Sequence, residues 1–236
     1  MNNMKVEIII LMLLGGAGMI WAQENRFAYI PSDNVIQNYM TETGTFAALY
    51  SGKTETLYDR RFVNHPYFET NTFIAGTLCY NRVVYKDVLM RFDLFRNELA
   101  VFFPSRMYNI ALNNDKFDYA VLNGSTIVLS KGEKKSEDKF SVLLQNGAYP
   151  VVRKYRITMA SPTGQSNLYS FNIQRQYAIY INGVPHTVKN KNAVLKLFPD
   201  RRKELDAFAK QHKLNFKGQI EQSIIALVNQ YENLTK

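Results

Sequence analysis

Three histidines (His65, His186, His212) and a single cysteine, Cys79, are the side chains in this chain best suited to general-base, nucleophilic or metal chemistry. None of the histidines has a second His, Cys or carboxylate at metal-ligand spacing, so the pattern of a structural zinc site is missing. His212 falls near an expected helix C-terminus, where a cation is favoured anyway. His65 precedes Pro66 in Asn-His-Pro-Tyr-Phe; turn chemistry accounts for it, but such a turn can also form a recognition loop, which makes His65 and Tyr67 candidate binding residues. Cys79 lies in a strand-like stretch with no adjacent Lys or His to lower its pKa, so it reads as a buried, inert thiol. With one cysteine no intramolecular disulfide can form.

Nucleophile elbows, phosphate-cradling glycine loops and dinucleotide fingerprints are all absent, and no cofactor is indicated. A Ser, a His and an Asp distant in sequence could still converge in space. The carboxylate pairs Asp87 with Asp93 and Asp115 with Asp118 sit in turns or on a strand's solvent face, where a structural role is expected, and Arg91 with Asp93 reads as a same-face strand partnership. Fifteen Tyr and 15 Phe suit a β-rich core, and exposed tyrosines could also offer a stacking platform. The formal charge of +9 attracts anions. Its densest set is C-terminal: Lys189, Lys191, Lys196, Arg201, Arg202, Lys203, Lys210, Lys213 and Lys217. From it Arg201, Arg202 and Lys203 are taken as candidate binding residues, against the plainer reading of a solvated helix face.

The elements that must position these groups begin after residue 22. Lys5 is followed by an apolar run from Ile8 to Trp21, too short to span a bilayer and broken by small residues before Ala22. Residues 1–22 are thus expected to be a cleavable secretory signal, and residues 23–236 a single exported domain. No Cys lies near the cleavage point to accept a lipid, and no later segment is long and apolar enough for a transmembrane helix. An exported protein meets envelope proteins and glycans rather than nucleic acid, so those are the expected partners.

Residues 25–42 read as a lead-in. A hairpin is expected from Phe46–Tyr50, a Ser51-Gly52-Lys53 turn and Glu55–Tyr58. Val88, Met90, Phe92 and Leu94 alternate with Leu89, Arg91, Asp93 and Phe95, which puts one apolar row on one strand face and Arg91 and Asp93 on the other, and Asn81-Arg82, Arg96-Asn97, Asn123-Gly124, Asn146-Gly147 and Asn182-Gly183 punctuate further strands. Loops are expected at 131–139 and 161–167. The period changes at Lys189: Asn192 is expected to cap a helix through Phe198, Asp200 a second through Lys213, and a third to follow Gly218 with Ile220, Ile224, Leu227, Val228 and Tyr231 in one stripe. The fold class is therefore α+β and β-dominated. An antiparallel meander of roughly ten strands (23–188), a curved sheet or sandwich, is followed by two to three short C-terminal helices (189–236) packed on it.

His65-Pro-Tyr-Phe68, Gly76, Tyr80, Tyr85-x-Asp87-Val88 and Arg91-Phe92-Asp93-Leu94 stand in an order that resembles a family of exported proteins of Bacteroidetes-type Gram-negative bacteria. The strands near Tyr149 to Ile157 and Tyr177 to Ile181, Val188-Lys189-x-Lys191 and the helices ending at Tyr231 extend the likeness over nearly all of residues 23–236. Members often carry Tyr-Asp where this chain has Phe92-Asp93. The resemblance implies a periplasmic or outer-membrane-associated protein and carries no functional residue over, and the missing acceptor Cys adds the expectation that it is not a lipoprotein. Residues and resemblance together lead to the expectation of a non-enzymatic binding or accessory protein of the cell envelope. The alternative is a hydrolase of an exported polymer whose site assembles only in the fold.

Overall fold

The computed structural model describes residue 49 and residues 52–103, 107–130, 138–162 and 167–236. The expected signal and lead-in, most of the expected Phe46–Tyr50 strand and the centres of the expected 131–139 and 161–167 loops lie outside the described residues.

Eleven strands form one antiparallel sheet: β1 (Gly52–Thr54), β2 (Ile74–Tyr80), β3 (Val83–Asp93), β4 (Glu98–Phe103), β5 (Tyr108–Leu112), β6 (Phe117–Leu122), β7 (Ser125–Ser130), β8 (Lys139–Gln145), β9 (Val151–Ala160), β10 (Ser170–Ile181) and β11 (Val184–Val188). Their spatial order is β1-β5-β4-β3-β2-β6-β7-β8-β9-β10-β11. Two meanders, β2 to β5 and β6 to β11, therefore grow in opposite directions from the β2–β6 pair. Asn81-Arg82, Asn123-Gly124 and Asn182-Gly183 each place two consecutive residues at positive φ, the backbone that a two-residue hairpin of matching twist requires.

The sheet cannot be flat. β5 and β6 are four strand spacings apart, about 19 Å in a flat sheet, yet only Asn113–Lys116 connects them. Even fully extended that link reaches about 18 Å, and three of its residues coil into a 3-10 turn. Register shifts in the β2–β3, β2–β6 and β8–β9 pairs mark bulges that supply the bending. Asn97, in the β3–β4 turn, meets the start of β8: its Nδ2 donates to the Asp138 carbonyl (2.9 Å) and its Oδ1 accepts from the Phe140 amide (2.8 Å). The result is an incomplete barrel filled by Leu78, Met90, Phe92, Leu99, Val101, Leu122 and Ile127, with Phe92, Phe117 and Phe140 packed edge to face.

Three helices cover the rest of the same face: α1 (Lys191–Leu197), α2 (Arg202–Gln211) and α3 (Ile220–Leu234). Ile224, Leu227, Val228 and Tyr231 of α3 are buried in the expected stripe, against Val151, Tyr177, Ile179 and Val188 of the sheet, and Leu144 packs into both this core and the barrel core. Arg153 on β9 and Tyr177 on β10 both reach Glu221 of α3 (2.9 and 3.1 Å), fixing the helix angle.

Several expectations are corrected. Gly52-Lys53 is not a turn but part of β1, paired with β5, and Glu55–Tyr58 is irregular rather than a strand. A Cβ at residue 52 would collide with the Ala111 carbonyl, so this glycine serves close strand approach. Asn190 rather than Asn192 caps α1, its side chain accepting from the Ala193 amide (2.9 Å). Asp200 caps nothing: α2 starts at Arg202 with no side-chain cap, and Asp200 instead accepts from the Tyr231 hydroxyl (3.3 Å). Asn146-Gly147 lies in a five-residue connection without positive φ.

Candidate functional site

Residues 55–73 carry most of the singled-out motif and form no named strand, because their backbone is shared between two distant parts of the sheet. Tyr67 bridges Asp93 at the end of β3, with the Phe68 amide on the Phe92 carbonyl (2.9 Å) and the Leu94 amide on the Pro66 carbonyl (3.0 Å). Phe62 bridges Tyr169 just before β10, and the Asn64 side chain bonds both the amide and the carbonyl of Phe171 (2.7 and 2.8 Å). The segment thus straps the end of β3 to the start of β10.

That strap buries charge. Arg91 meets Glu55 through two bonds, Nε to Oε1 (2.9 Å) and Nη2 to Oε2 (2.7 Å), and its guanidinium lies 4.3 Å from the ring centres of both Tyr67 and Phe73. The Arg91 and Glu55 side chains are only 11% and 4% exposed. Asp93 is buried too. It accepts from the Tyr58 hydroxyl (2.7 Å) and from the amides of Phe95 and Arg96 (2.9 Å each). The expected Arg91–Asp93 partnership and solvent face are therefore both replaced, since the 55–73 strap covers that end of β3 and supplies each group with a nearer partner. Burial pushes the Asp93 carboxyl above its usual range, against the bonds that favour the anion. Burial likewise raises the Tyr58 hydroxyl, helped by Asp93, and holds Tyr67 at about 12.

Next to the strap lies a cleft of about 520 Å³ at the mouth of the barrel. Its cations are Lys53, Arg96 and Lys139; its amides are Asn97, Asn113 and Asn114; its carboxylates are Glu98, Asp115 and Asp138. Lys53 and Glu98 pair across the opening. Asn114 Nδ2 donates to the Asn97 carbonyl (2.7 Å), and its Oδ1 is buried with no partner. Arg96 joins cleft to strap, with its guanidinium 4.1 Å from the Tyr58 ring centre and a bond to the Thr56 carbonyl. Beyond Tyr58, an aromatic wall continues through Phe62, Tyr169, Phe171 and Phe95, with ring centres 4.9 to 5.4 Å apart and Arg61 over Tyr169. Leu57 and Val63, 60% and 61% exposed, extend the apolar surface of the strap.

The residues singled out from sequence divide between two places. His65 and Tyr67 are on the strap; the Tyr67 ring is buried and so is no exposed platform, and His65 Nδ1 is buried without a partner. Arg201, Arg202 and Lys203 lie at the start of α2, in the helical layer, where Arg201 faces Glu204 (3.5 Å). His186 is on the edge strand β11, opposite Ile179. Among the described residues no group of three His, Cys, Asp or Glu could hold a metal ion. Cys79 is buried on the opposite face of the sheet, its Sγ 3.6 Å from Asp118, and burial pushes the thiol up to about 12, so it stays protonated and unreactive. Asp118 also accepts from the Arg82 amide (2.8 Å), which separates it from Asp115 in the cleft.

The cleft residues were missed because the Asn97 and Asp138 positions looked like turn and loop chemistry. The Asn-Asn-Asp run at 113–115, polar throughout between two strands, was the signal that pointed there. No protein-family profile, curated protein or solved structure matches the chain.

Proposed function

We propose that the chain is a non-enzymatic binding or accessory protein of the cell envelope, exported to the periplasm or outer membrane, that holds a glycan in the cleft beside the β3–β4 turn. The observation that carries this reading is the mixed wall of the cleft. A polyhydroxylated ligand needs donors and acceptors side by side; Lys and Arg only donate, ionised carboxylates only accept, and both kinds line the same cleft. The aromatic wall reached through Arg96 adds apolar area for the faces of sugar rings. The N-terminal apolar run supports export.

Calorimetric titration of the purified chain with neutral and acidic polysaccharides is expected to give binding that Asp115→Ala together with Lys139→Ala weakens by about tenfold or more, as loss of charge-assisted bonds requires. Binding indifferent to both substitutions, or none across the panel, overturns this reading. One observation favours the hydrolase alternative: Glu98, Asp115 and Asp138 line the same cleft, and paired carboxylates are the acid–base machinery of glycoside cleavage. Release of reducing ends from the panel, abolished by Asp115→Asn or Asp138→Asn, would put the hydrolase in place of the binding protein.

A further inference from the structure

We propose that the helical tail carries a second site, for a phosphate group borne on an apolar moiety. Between the end of α2 and the start of α3 is a cavity of about 430 Å³ with Lys191, Lys210, Lys213 and Lys217 around it and Leu214 and Phe216 in its wall. Asp206 answers two of these cations, Lys191 and Lys210, at 2.7 Å each. Lys213 and Lys217 carry no ion pair among the described residues and are exposed. Four ammonium groups against one carboxylate leave three positive charges (4 − 1 = 3) around one small cavity. Lys203, one of the residues singled out from sequence, lies seven positions before Lys210 and so extends the same stripe of α2.

The cavity is built rather than incidental. The Leu214 amide bonds the Ala209 carbonyl (3.0 Å), and Asn215 Oδ1 accepts from the amides of Lys217 (3.1 Å) and Gly218 (2.9 Å), which fixes the loop that presents the lysines. Lys213 occupies a left-handed backbone position (φ 49°) just past the end of α2, where the chain turns into the loop. The helix dipole favours a cation at the end of α2 and accounts for Lys213, but not for Lys217, four residues further on. A compact anion satisfies the ammonium groups, and the half-buried Leu214 and Phe216 meet whatever apolar part the anion carries. This site is separate from the barrel cleft and stands whether or not a glycan binds there.

The test titrates the full chain with inorganic phosphate and with dodecyl phosphate below its micelle concentration, and sediments it with phosphatidylglycerol or phosphatidylcholine vesicles. Dodecyl phosphate is expected to bind at least about tenfold more tightly than inorganic phosphate, through contacts with the apolar wall. Lys213→Gln with Lys217→Gln should weaken binding by about 30-fold, while Lys196→Gln leaves it unchanged. Phe216→Ala should reduce binding of dodecyl phosphate and spare inorganic phosphate. Capture on phosphatidylglycerol but not phosphatidylcholine assigns a lipid headgroup as the source, and dodecyl phosphate binding without capture assigns a soluble ester; both uphold the site. Equal affinity for the two phosphates, or binding that survives the double lysine substitution in a chain of unchanged melting temperature, overturns it.

Discussion

Replacing Arg91 by Met should be among the most damaging single changes near the strap, and the reason is the group it leaves behind. Arg91 supplies Glu55 with two short hydrogen bonds, donates a third to the Asn71 carbonyl (2.6 Å), and fills the space between the Tyr67 and Phe73 rings. Methionine retains much of the stacking volume and none of the charge. Glu55, its side chain 4% exposed, would keep only the Asn109 amide (3.0 Å), so a carboxylate stays buried without a counter-ion. Breaking a buried pair in this way costs about 3–5 kcal/mol. For a chain of this size that corresponds to a fall in Tm of about 6–20 °C. Adding Glu55→Gln removes the stranded charge and should restore half of the loss or more, a non-additivity readable from urea unfolding of the two single variants and the double. A loss below about 1 kcal/mol for Arg91→Met, or a double variant as unstable as the sum of the singles, would refute the account of the strap as held by this pair.

Asp93 makes a prediction in pH. Its carboxyl is raised above the ordinary value chiefly by burial, so the contribution of its protonated form to stability is present below the ordinary carboxylate pKa of 3.8 and is lost as pH rises through the folded-state value. Asp93→Asn keeps an acceptor for the Phe95 and Arg96 amides and cannot ionise; denaturation midpoints across the acid range should show a smaller decline with rising pH in this variant, and an identical pH profile would contradict the assignment. Gly52→Ala should push β1 away from the Ala111 carbonyl and loosen the cleft wall that carries Lys53, seen as faster amide exchange in β1 with the helical layer unaffected. Unchanged exchange would mean that β1 is not held at its observed distance from β5.

The alternation of Val88, Met90 and Phe92, the Asn123-Gly124 and Asn182-Gly183 hairpins and the stripe of α3 were legible in the sequence because each depends on contacts within a few residues or on the period of one element. The correct capping residue of α1 was not: Asn190 and Asn192 are equally able to cap, and the choice turns on where the chain leaves β11. Arg91 and Asp93 failed for a related reason. Alternation assigns them to the face opposite Phe92, and that face is ordinarily wet on a single sheet, but a segment lying between β1 and β2 in sequence covers it.

Sequence by itself determined the composition of the chain, its β-dominated order with helices last, that its lone cysteine forms no intramolecular disulfide, and the two basic and aromatic groups of residues worth following. Tertiary structure alone decided which of them meet. The cleft gathers Lys53, Asn97, Asn113 and Asp138, drawn from four stretches of chain, because bulges curl the sheet until the β3–β4 turn touches β8. Curvature of that kind accumulates over many strands, and no local pattern of residues records where its ends will close.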